Sequence, residues 1–349
     1  MSADFGSLAP YTKFPFVLIT SQSTTERVLE AQLNELGVKV LRPEKAVGLK
    51  SNDDGELAVT FESGKVITAQ YVMGADGARS VIRQMAGVGF ADPDATHVDE
   101  QLAQMILADV SFSSTSPHLP TDQIHGTGSD GRFFLIAPLP KETSDSEIVY
   151  RIGFNVPLSA GSPPSNPPTS YLQKYLNEQG PLYLSSDSTF NPSPIHISKT
   201  FWATRFRTHA AIANQFLIRF GSPKAGREQK RGGMVVLVGD AAHIHAPAGG
   251  LGMNLGIRDA ILIGPALAAH AMSDDDSLSF NDRLLEECVA TRRARALSTI
   301  RLTKRIMSML NVFGATSVLN ISYWLFRLLG KIPLFRRRIA WHLSGLGNR

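Results

Sequence analysis

The sequence is poor in cysteine, and this shortage narrows the classes of protein to consider. Cys288 is the one cysteine among 349 residues. A single cysteine excludes an intramolecular disulfide and any cysteine-based zinc or iron–sulfur site, and it indicates a reducing compartment. The first residues show no apolar run followed by a small-residue cleavage pattern, so we expect no signal peptide. These absences favour a cytoplasmic protein.

Acidic residues are missing from the last part of the chain. No Asp or Glu follows Glu287, whereas twelve Lys or Arg residues lie between Arg292 and Arg349. This basic segment is interpreted first as a solvated tail and second as a surface for anions or a membrane. Nucleic acid is not expected as a partner, because no stacking platform or known binding motif accompanies the charges.

One stretch of the basic segment, residues 306–326, is uncharged and about as long as a bilayer requires. Its Ser, Thr, Asn and Gly residues favour two packed or surface helices separated near Gly314. Membrane association through residues 306–330 is the alternative. With 43% hydrophobic and 19% charged residues, the composition is otherwise that of a soluble globular protein of about two domains.

The coarse pattern of elements predicts an α/β protein. Ser23–Glu26 has the spacing of a capping box and precedes a predicted helix over 24–36. Residues 38–43, 56–62 and 65–77 read as strands of a partly parallel sheet, which returns at 235–238. The segment between about 90 and 220 is rich in strand patterns and predicts a mostly antiparallel second sheet, and the last sixty or so residues predict helices.

The stretch VGDAAHIHAPAGGLGMNLGIRDA, residues 238–260, follows a buried strand and is unusually rich in glycine. Asp240 stands where ligands bind in open α/β sheets, and its carboxylate can accept hydrogen bonds from ribose or ribityl hydroxyls. The glycines let a flat or anionic ligand approach the backbone N–H groups of a helix that begins near residue 253. A loop needed only for tight packing is the alternative.

Two other patterns in the sequence carry less information about ligands. His243 and His245 lie in an irregular segment without nearby cysteine, so no metal site is predicted there and both are interpreted as polar loop residues. Gly126–Gly131 fits G-x-G-x-x-G, but a strand pattern follows it where a dinucleotide site needs a helix. We therefore expect a hairpin turn at Gly126–Gly131.

Four segments, in order along the chain, resemble one enzyme family. Residues 239–260 resemble the second flavin-binding motif of the group A flavoprotein monooxygenases, aromatic hydroxylases similar to p-hydroxybenzoate and phenol hydroxylase. YVMGADGARSVIR at 71–83 resembles their Asp-Gly motif, and SQSTTERVL at 21–29 resembles a helix that carries a flavin-contacting Gln. RRRIAWHLSGLGNR at 336–349 resembles the end of the catalytic part in the phenol-hydroxylase and polyketide-hydroxylase branch.

The resemblance implies a set of cofactor contacts. Asp240 would contact the ribityl or pyrophosphate region of FAD, and Pro247 would lie near the reactive edge of the flavin ring. Gln22 would reach the flavin linker, while Asp76 and Gly77 would border the groove used by FAD and NAD(P)H. The backbone expected to face the pyrimidine end of the ring comprises Gly249, Gly250, Gly252, Met253 and Asn254.

The resemblance also implies the chemistry. NAD(P)H reduces FAD, O2 adds at the flavin C4a position, and the hydroperoxide transfers one oxygen atom to an aromatic substrate of phenolic or polyketide-like type. No side chain is required as a nucleophile, and no catalytic residue is assigned. A relative that uses flavin without inserting oxygen, such as a dehydrogenase or halogenase, is an alternative.

The family begins with a strand, a G-x-G-x-x-G turn and a helix, and nothing before Gln22 has that pattern. The expected fold is therefore an incomplete FAD-binding Rossmann-like domain with an inserted, mostly antiparallel β-sheet substrate domain and C-terminal helices. A non-catalytic remnant that acts as a binding or regulatory module is the corresponding functional alternative.

The expected domains are the first part of the FAD-binding domain at 1–90, the substrate domain at 91–220, the second FAD-binding part at 221–285 and a helical segment at 286–349. Within them, Gly264–Pro265 should kink or split a helix, and residues 221–233 should form a surface loop. The oligomeric state is left open.

Overall fold

The chain folds into two compact units, and each has its own hydrophobic core. The computed structural model describes residues 4–52, 55–94, 104–114, 118–129, 132–141, 147–207, 210–220, 232–246, 250–273, 275–314 and 328–348. The first unit comprises Met1–Lys39, His97–Thr208 and Ile306–Arg349. The second unit comprises Val40–Thr96 and His209–Arg305.

The described residues form a mixed α/β protein. The strands are β1 (Ala46–Ser51), β2 (Leu57–Phe61), β3 (Val66–Ala69), β4 (Tyr71–Gly74), β5 (Phe90–Ala91), β6 (Gln104–Phe112), β7 (His125–Ser129), β8 (Arg132–Pro138), β9 (Tyr150–Asn155), β10 (Ile197–Arg207), β11 (Ala211–Ala213), β12 (Leu217–Arg219), β13 (Met234–Leu237) and β14 (His243–Ile244). The helices are α1 (Gln22–Glu35), α2 (Val81–Met85), α3 (Thr169–Gln179), α4 (Leu251–Ala271), α5 (Asp275–Gly314) and α6 (Pro333–Ser344).

The first unit is built on a five-stranded antiparallel sheet with the order β10-β6-β9-β8-β7. Alternate residues of its central strands are buried together with α3, because successive side chains of a strand point to opposite faces. Phe154 of β9 and Tyr175 of α3 stack with their ring centroids 5.1 Å apart. The core includes Ile106, Ala108, Val110, Phe134, Ile136, Ile152, Leu172 and Leu176. The predicted antiparallel sheet is confirmed, although α3 was not predicted.

The glycine pattern Gly126–Gly131 belongs to this sheet. β7 pairs with β8 in antiparallel register, and Ser129 lies opposite Arg132. The segment therefore leads into a hairpin, as predicted, although residues 130–131 themselves lie outside the described part of the chain.

The helix α1 begins earlier than predicted. Ser21 is its N-cap, and the Ser21 hydroxyl accepts a hydrogen bond from the Thr24 amide at 3.1 Å. The capping box predicted from Ser23 is therefore wrong, because Ser23 already lies inside the helix. Glu26 instead accepts a hydrogen bond from the Gln22 side chain at 2.7 Å. No residue of α1 is buried.

The second unit is organised around β13, whose four residues are all buried. β13 pairs in parallel with β4 and antiparallel with β12, while β1-β2-β3 and β14-β11-β5 form two further three-stranded sheets. The helices α4 and α5 contribute apolar side chains to this core, among them Leu255, Ile263, Leu285 and Val289. The two predicted parts of the α/β domain are thus joined by one parallel strand pair.

Two predicted strands are wrong. Residues 38–43 form no strand, and their side chains are exposed, because this apolar alternation finds no sheet partner in the described chain. The strand predicted over 65–77 divides at Gln70 into β3 and β4, which belong to different sheets. β3 closes a hairpin with β2, whereas β4 turns away to pair with β13.

The helical predictions for the last part of the chain are partly met. The first of the two predicted C-terminal helices is part of α5, which ends at Gly314, while most of the second falls on residues 315–327, outside the described chain.

The helix α4 runs unbroken through Pro265, so it is not split. Proline removes one backbone hydrogen bond, and the remaining bonds and the core contacts of α4 hold the helix together. Residues 221–231 of the predicted surface loop also lie outside the described chain.

The boundaries of the two units differ from the four expected domains. Residues 1–39 group with the antiparallel sheet, and the later boundary falls within α5, after Arg305. The four-part division therefore stays a prediction about domains.

One described helix, α4, is long and apolar enough to cross a membrane by length and composition alone. Its residues Leu255 and Ile263 belong to the core of the second unit. Only 28% of the apolar segment is buried, and Ile261 and Leu262 are exposed, so packing against that core accounts for only part of the apolar character of α4.

The buried face of the first unit offers a test of its core. Ile152 is fully buried between β6 and β8, so Ile152→Ala should lower the free energy of unfolding by about 2–5 kcal/mol. Urea denaturation measures this loss. Leu182→Ala is the control, because Leu182 is 62% exposed, and we expect a change within about 0.5 kcal/mol. Equal losses in the two variants would contradict this account of the core.

Candidate functional site

The candidate site lies where β4 and β13 end side by side. Leu237 of β13 aligns with Gly74 of β4, and the Val238 amide donates to the Gly74 carbonyl at 3.0 Å. The carboxyl ends of parallel strands meet at one edge of a sheet, which is where ligands bind in open α/β folds. The two predicted motifs, 71–83 and 239–260, are therefore brought together at this edge.

Asp240 sits in the turn that follows β13. Gly239–Ala241 form a 3-10 helix, in which Gly239 has a φ of 55°. The Asp240 side chain is exposed, and its carboxylate accepts no hydrogen bond from any residue in the described part of the chain. The carboxylate is thus free to accept hydrogen bonds from a ligand.

The glycines of α4 allow this helix to approach the turn closely. A Cβ atom built on Gly256 would lie 3.3 Å from the Cα atom of Gly239. That separation is tighter than ordinary van der Waals contact, so a larger residue at this position would have to displace the Gly239 backbone. Gly256 is therefore explained by helix packing rather than by contact with a ligand.

The N-terminus of α4 has no side-chain cap among the described residues. Gly250 occupies the N-cap with φ 64° and ψ 30°, a left-handed conformation that favours glycine. Because Gly250 has no side chain, it cannot cap the first-turn N–H groups. Met253 and Asn254 are exposed, and the Asn254 amide donates to the Gly250 carbonyl at 3.1 Å. The N–H groups of this turn favour an electron-rich ligand.

His245 faces this helix end. Its Nδ1 lies 2.8 Å from the Ala246 carbonyl, so Nδ1 carries the proton in the neutral ring and Nε2 is an acceptor. Nε2 is buried and has no hydrogen-bond partner among the described residues. A Cβ atom on Gly252 would be 4.0 Å from Nε2. Burial lowers the pKa of His245, and its hydrogen bond to Ala246 only partly opposes this.

Asp76 has a structural role at the end of β4. One carboxylate oxygen accepts from the amides of Val81 at 2.7 Å and Ile82 at 3.1 Å, and the other accepts from the Ser80 hydroxyl. These bonds satisfy donors at the start of α2. Gly77, with a φ of 83° and no atom near a Cβ position, leaves open space beside this turn.

Arg83 is a site residue that the sequence analysis missed. It is buried, and its guanidinium donates to the carbonyl of Ala241 at 2.8 Å and to that of Ala78 at 2.9 Å. It also lies over the Phe90 ring, 3.8 Å from the centroid. Arg83 therefore joins the Asp76 turn to the Asp240 turn. Arg83 lies within residues 71–83, the segment that resembles the Asp-Gly motif, but no spacing rule in the sequence distinguishes Arg83 from a surface arginine.

A buried charge cluster beneath the turn was also missed. Asp259, His243 and Arg292 are all at most 2% exposed. The His243 Nε2 atom lies 2.6 Å from an Asp259 oxygen, and Arg292 Nε donates to the other oxygen at 2.9 Å. His243 is thus held by a carboxylate and is not simply a polar loop residue. His243 and Asp259 are 16 residues apart, and no sequence pattern predicts that two residues at this separation are in contact.

For three of the predicted cofactor residues, the structure shows no position at this edge. Pro247 and Gly249 lie outside the described residues. Gln22 belongs to the first unit, where it is exposed and bonded to Glu26. Their cofactor contacts stay predictions.

A model of the FAD binding domain family matches residues 5–208 and 217–302. The chain belongs to this family. The resemblance to FAD-dependent aromatic monooxygenases is thereby confirmed at the level of the family, and named relatives support it further.

Two curated relatives of this FAD-binding chain are monooxygenases. Rifampicin monooxygenase of Streptomyces venezuelae is 28% identical over 258 residues, which cover 74% of this chain and 46% of the relative. Pentachlorophenol 4-monooxygenase of Sphingobium chlorophenolicum is 28% identical over 262 residues, 73% of this chain and 41% of the relative. The chain spans about half the length of these relatives.

Solved structures confirm the fold class. The OxyS anhydrotetracycline hydroxylase from Streptomyces rimosus matches 99% of this FAD-binding chain and 62% of its own, with a TM-score of 0.66 at 24% identity. A complex of aklavinone-11 hydroxylase with FAD and aklavinone matches 85% of this chain and 51% of its own, with a TM-score of 0.57 at 18% identity. At these identities the likeness shows the fold alone.

The observed edge fits the cofactor of the family. Among the described residues, none donates to the Asp240 carboxylate, no atom lies within 4 Å of a Cβ position at Gly250, and the buried Nε2 atom of His245 has no hydrogen-bond partner. An acceptor, an uncapped helix end and open space thus lie at the ends of β4 and β13. These are groups that a flavin nucleotide with hydroxyls and an electron-rich ring can satisfy.

The lowered pKa of His245 makes stability depend on pH. Below about pH 6.5 His245 is protonated in the unfolded chain, whereas in the folded chain it stays neutral to a lower pH. The free energy of unfolding should therefore fall as the pH drops from about 7.5 to about 5.5, and it should fall less steeply in His245→Gln. Urea denaturation across this range measures both slopes. Identical slopes would show that His245 does not contribute.

Proposed function

We propose that this chain binds FAD at the carboxyl ends of β4 and β13 and serves an NAD(P)H-using monooxygenase that hydroxylates an aromatic, phenolic or polyketide-like substrate. The observation that carries the proposal is the N-terminus of α4, which has no side-chain cap, together with the exposed carboxylate of Asp240, which accepts no hydrogen bond from the described residues. The names of the monooxygenase relatives support the reaction class.

The residues of the edge have distinct parts in the proposal. The Asp240 carboxylate accepts hydrogen bonds from ribityl or ribose hydroxyls. The first-turn N–H groups of α4, with the positive end of the helix dipole behind them, stabilise negative charge on the pyrimidine end of the flavin ring. The His245 Nε2 atom accepts a hydrogen bond from a cofactor or substrate donor. Pro247, Gly249 and Gln22 are proposed as further contacts from the resemblance alone.

When bound and reduced by NAD(P)H, FAD supplies the activation of O2 and the transfer of one oxygen atom to the aromatic ring. The protein holds the reactants and excludes water, so no nucleophilic side chain is needed. The substrate class is taken from the relatives, whose names include a chlorinated phenol and the antibiotic rifampicin. We also propose a cytoplasmic location, since the single cysteine suits a reducing compartment.

FAD uptake by the purified chain tests the cofactor assignment. Titration with FAD, followed by flavin fluorescence and visible absorbance, should show saturable binding. Because hydrogen bonds to charged groups contribute about 1.5–3 kcal/mol, Asp240→Ala should weaken binding by about ten- to one-hundredfold. Asp122→Ala is the matched control, since Asp122 is an exposed aspartate of the first unit, and it should bind FAD like the wild type.

Two results would count against the cofactor assignment. A chain that stays colourless at high FAD would favour a binding or regulatory module over an enzyme. Unchanged affinity in Asp240→Ala would remove the contact assigned to that residue.

The reaction class has its own test. The FAD-loaded chain should oxidise NADH or NADPH faster when a phenol or an aromatic polyketide is present, and mass spectrometry should find a product with one added oxygen atom. Stimulated NAD(P)H oxidation that yields only hydrogen peroxide would contradict the proposed hydroxylation of that compound.

A further inference from the structure

The carboxylate of Asp259 is completely buried and collects donors from three segments of the second unit. One of its oxygens accepts from the Gly239 amide at 3.1 Å and from His243 Nε2 at 2.6 Å. The other accepts from Arg292 Nε at 2.9 Å. The donors thus come from the turn before Asp240, from β14 and from α5.

From this geometry we infer that Asp259 is a positioning residue of the FAD site, fixing α4 against the Gly239 turn so that the bare helix end and Asp240 face one ligand. The inference rests on the proposed function, because its ligand is FAD. None of the residues of the cluster needs to touch the cofactor.

Two neighbouring contacts fix the position of α4 relative to the Gly239 turn. Gly256 packs on Gly239 through the backbone, and Asp259, one helical turn later, bonds the Gly239 amide. Leu251 begins the helix eight residues before Asp259, which corresponds to about 12 Å along the axis. Because an α-helix is stiff over that length, fixing Asp259 also fixes the first turn relative to Asp240.

The charges of the cluster depend on one another. His243 and Arg292 lower the pKa of Asp259 against the effect of its burial. Arg292 is 1% exposed, and its Nη2 atom has no hydrogen-bond partner among the described residues, so its charge is balanced mainly by Asp259. A buried cation without its anion is strongly unfavourable, and loss of the Asp259 charge should therefore displace α4, α5 and the turn.

The far end of α4 has a similar cluster that serves as a control. Asp282 accepts from His270 Nε2 at 2.8 Å and from Arg219 at 2.8 Å, and the Tyr71 hydroxyl lies 2.9 Å from His270 Nδ1. His270 is in the last turn of α4, about 28 Å from Leu251 along the axis. This second Asp–His–Arg cluster ties α4 to α5 without touching the Gly239 turn.

The test compares Asp259→Asn with Asp282→Asn in the full chain. FAD affinity, the visible spectrum of bound flavin and the urea midpoint are measured for each variant, and binding is normalised to the folded fraction. We expect Asp259→Asn to weaken FAD binding at least tenfold and to shift the flavin spectrum. Asp282→Asn should lose stability while keeping the affinity and spectrum of the wild type.

Hydrogen exchange without FAD gives a readout independent of the cofactor. The hydrogen-bonded amides of Gly239, Ala242 and residues 255–258 should exchange faster in Asp259→Asn than in the wild type, and at the wild-type rate in Asp282→Asn. A role limited to general stability would instead raise exchange in both variants alike.

If Asp259→Asn does not fold, a second pair of variants tests the positioning role of Asp259 through its donor His243. His243→Leu removes the donor to Asp259, whereas His243→Gln places an amide N–H where Nε2 was. We expect His243→Leu to weaken FAD binding and His243→Gln to restore most of it.

Several results would overturn the inference. Wild-type FAD affinity and spectrum in Asp259→Asn, or wild-type affinity in His243→Leu, would overturn it and leave the proposed function intact. Failure of the wild-type chain to bind FAD would overturn both.

Discussion

The parallel pairing of β4 with β13 is the contact on which the candidate site depends. It aligns Gly74 with Leu237 and so brings two motifs separated by about 160 residues to one sheet edge. Without this pairing, Asp76 and Asp240 would follow two strands that do not lie next to each other. Arg83 reinforces the arrangement, because its guanidinium bonds the Ala241 carbonyl beyond the second strand.

The helix α4 completes the ligand site proposed at that edge. Its glycines have two separate purposes, since Gly256 permits close packing on Gly239 while Gly250 leaves the first turn without a capping side chain. Polar clusters at Asp259, near the middle of α4, and at His270, in its last turn, join this helix to α5. Buried ion pairs add little to stability compared with apolar packing, which agrees with the positioning role proposed for Asp259.

Residue type and periodicity were enough to predict much of this architecture. β13, with its run of Met, Val and Leu, the antiparallel strands β6, β8 and β9, and the glycine-rich start of α4 all follow from local patterns. The errors occurred where partners decided the outcome. Residues 38–43 have a strand-like alternation but no partner, and residues 65–77 divide because β3 and β4 join different sheets.

The sequence by itself determined the family, the class of fold and the position of the glycine-rich turn after a buried strand, because these depend on residue types at fixed local spacing. Only the tertiary structure decided that Asp76 accepts from the first amides of α2, that no described residue donates to Asp240, and that His243 and Arg292 converge on Asp259. The physical reason is that a hydrogen bond or ion pair between distant segments depends on where packing places both partners, and no local pattern records that placement.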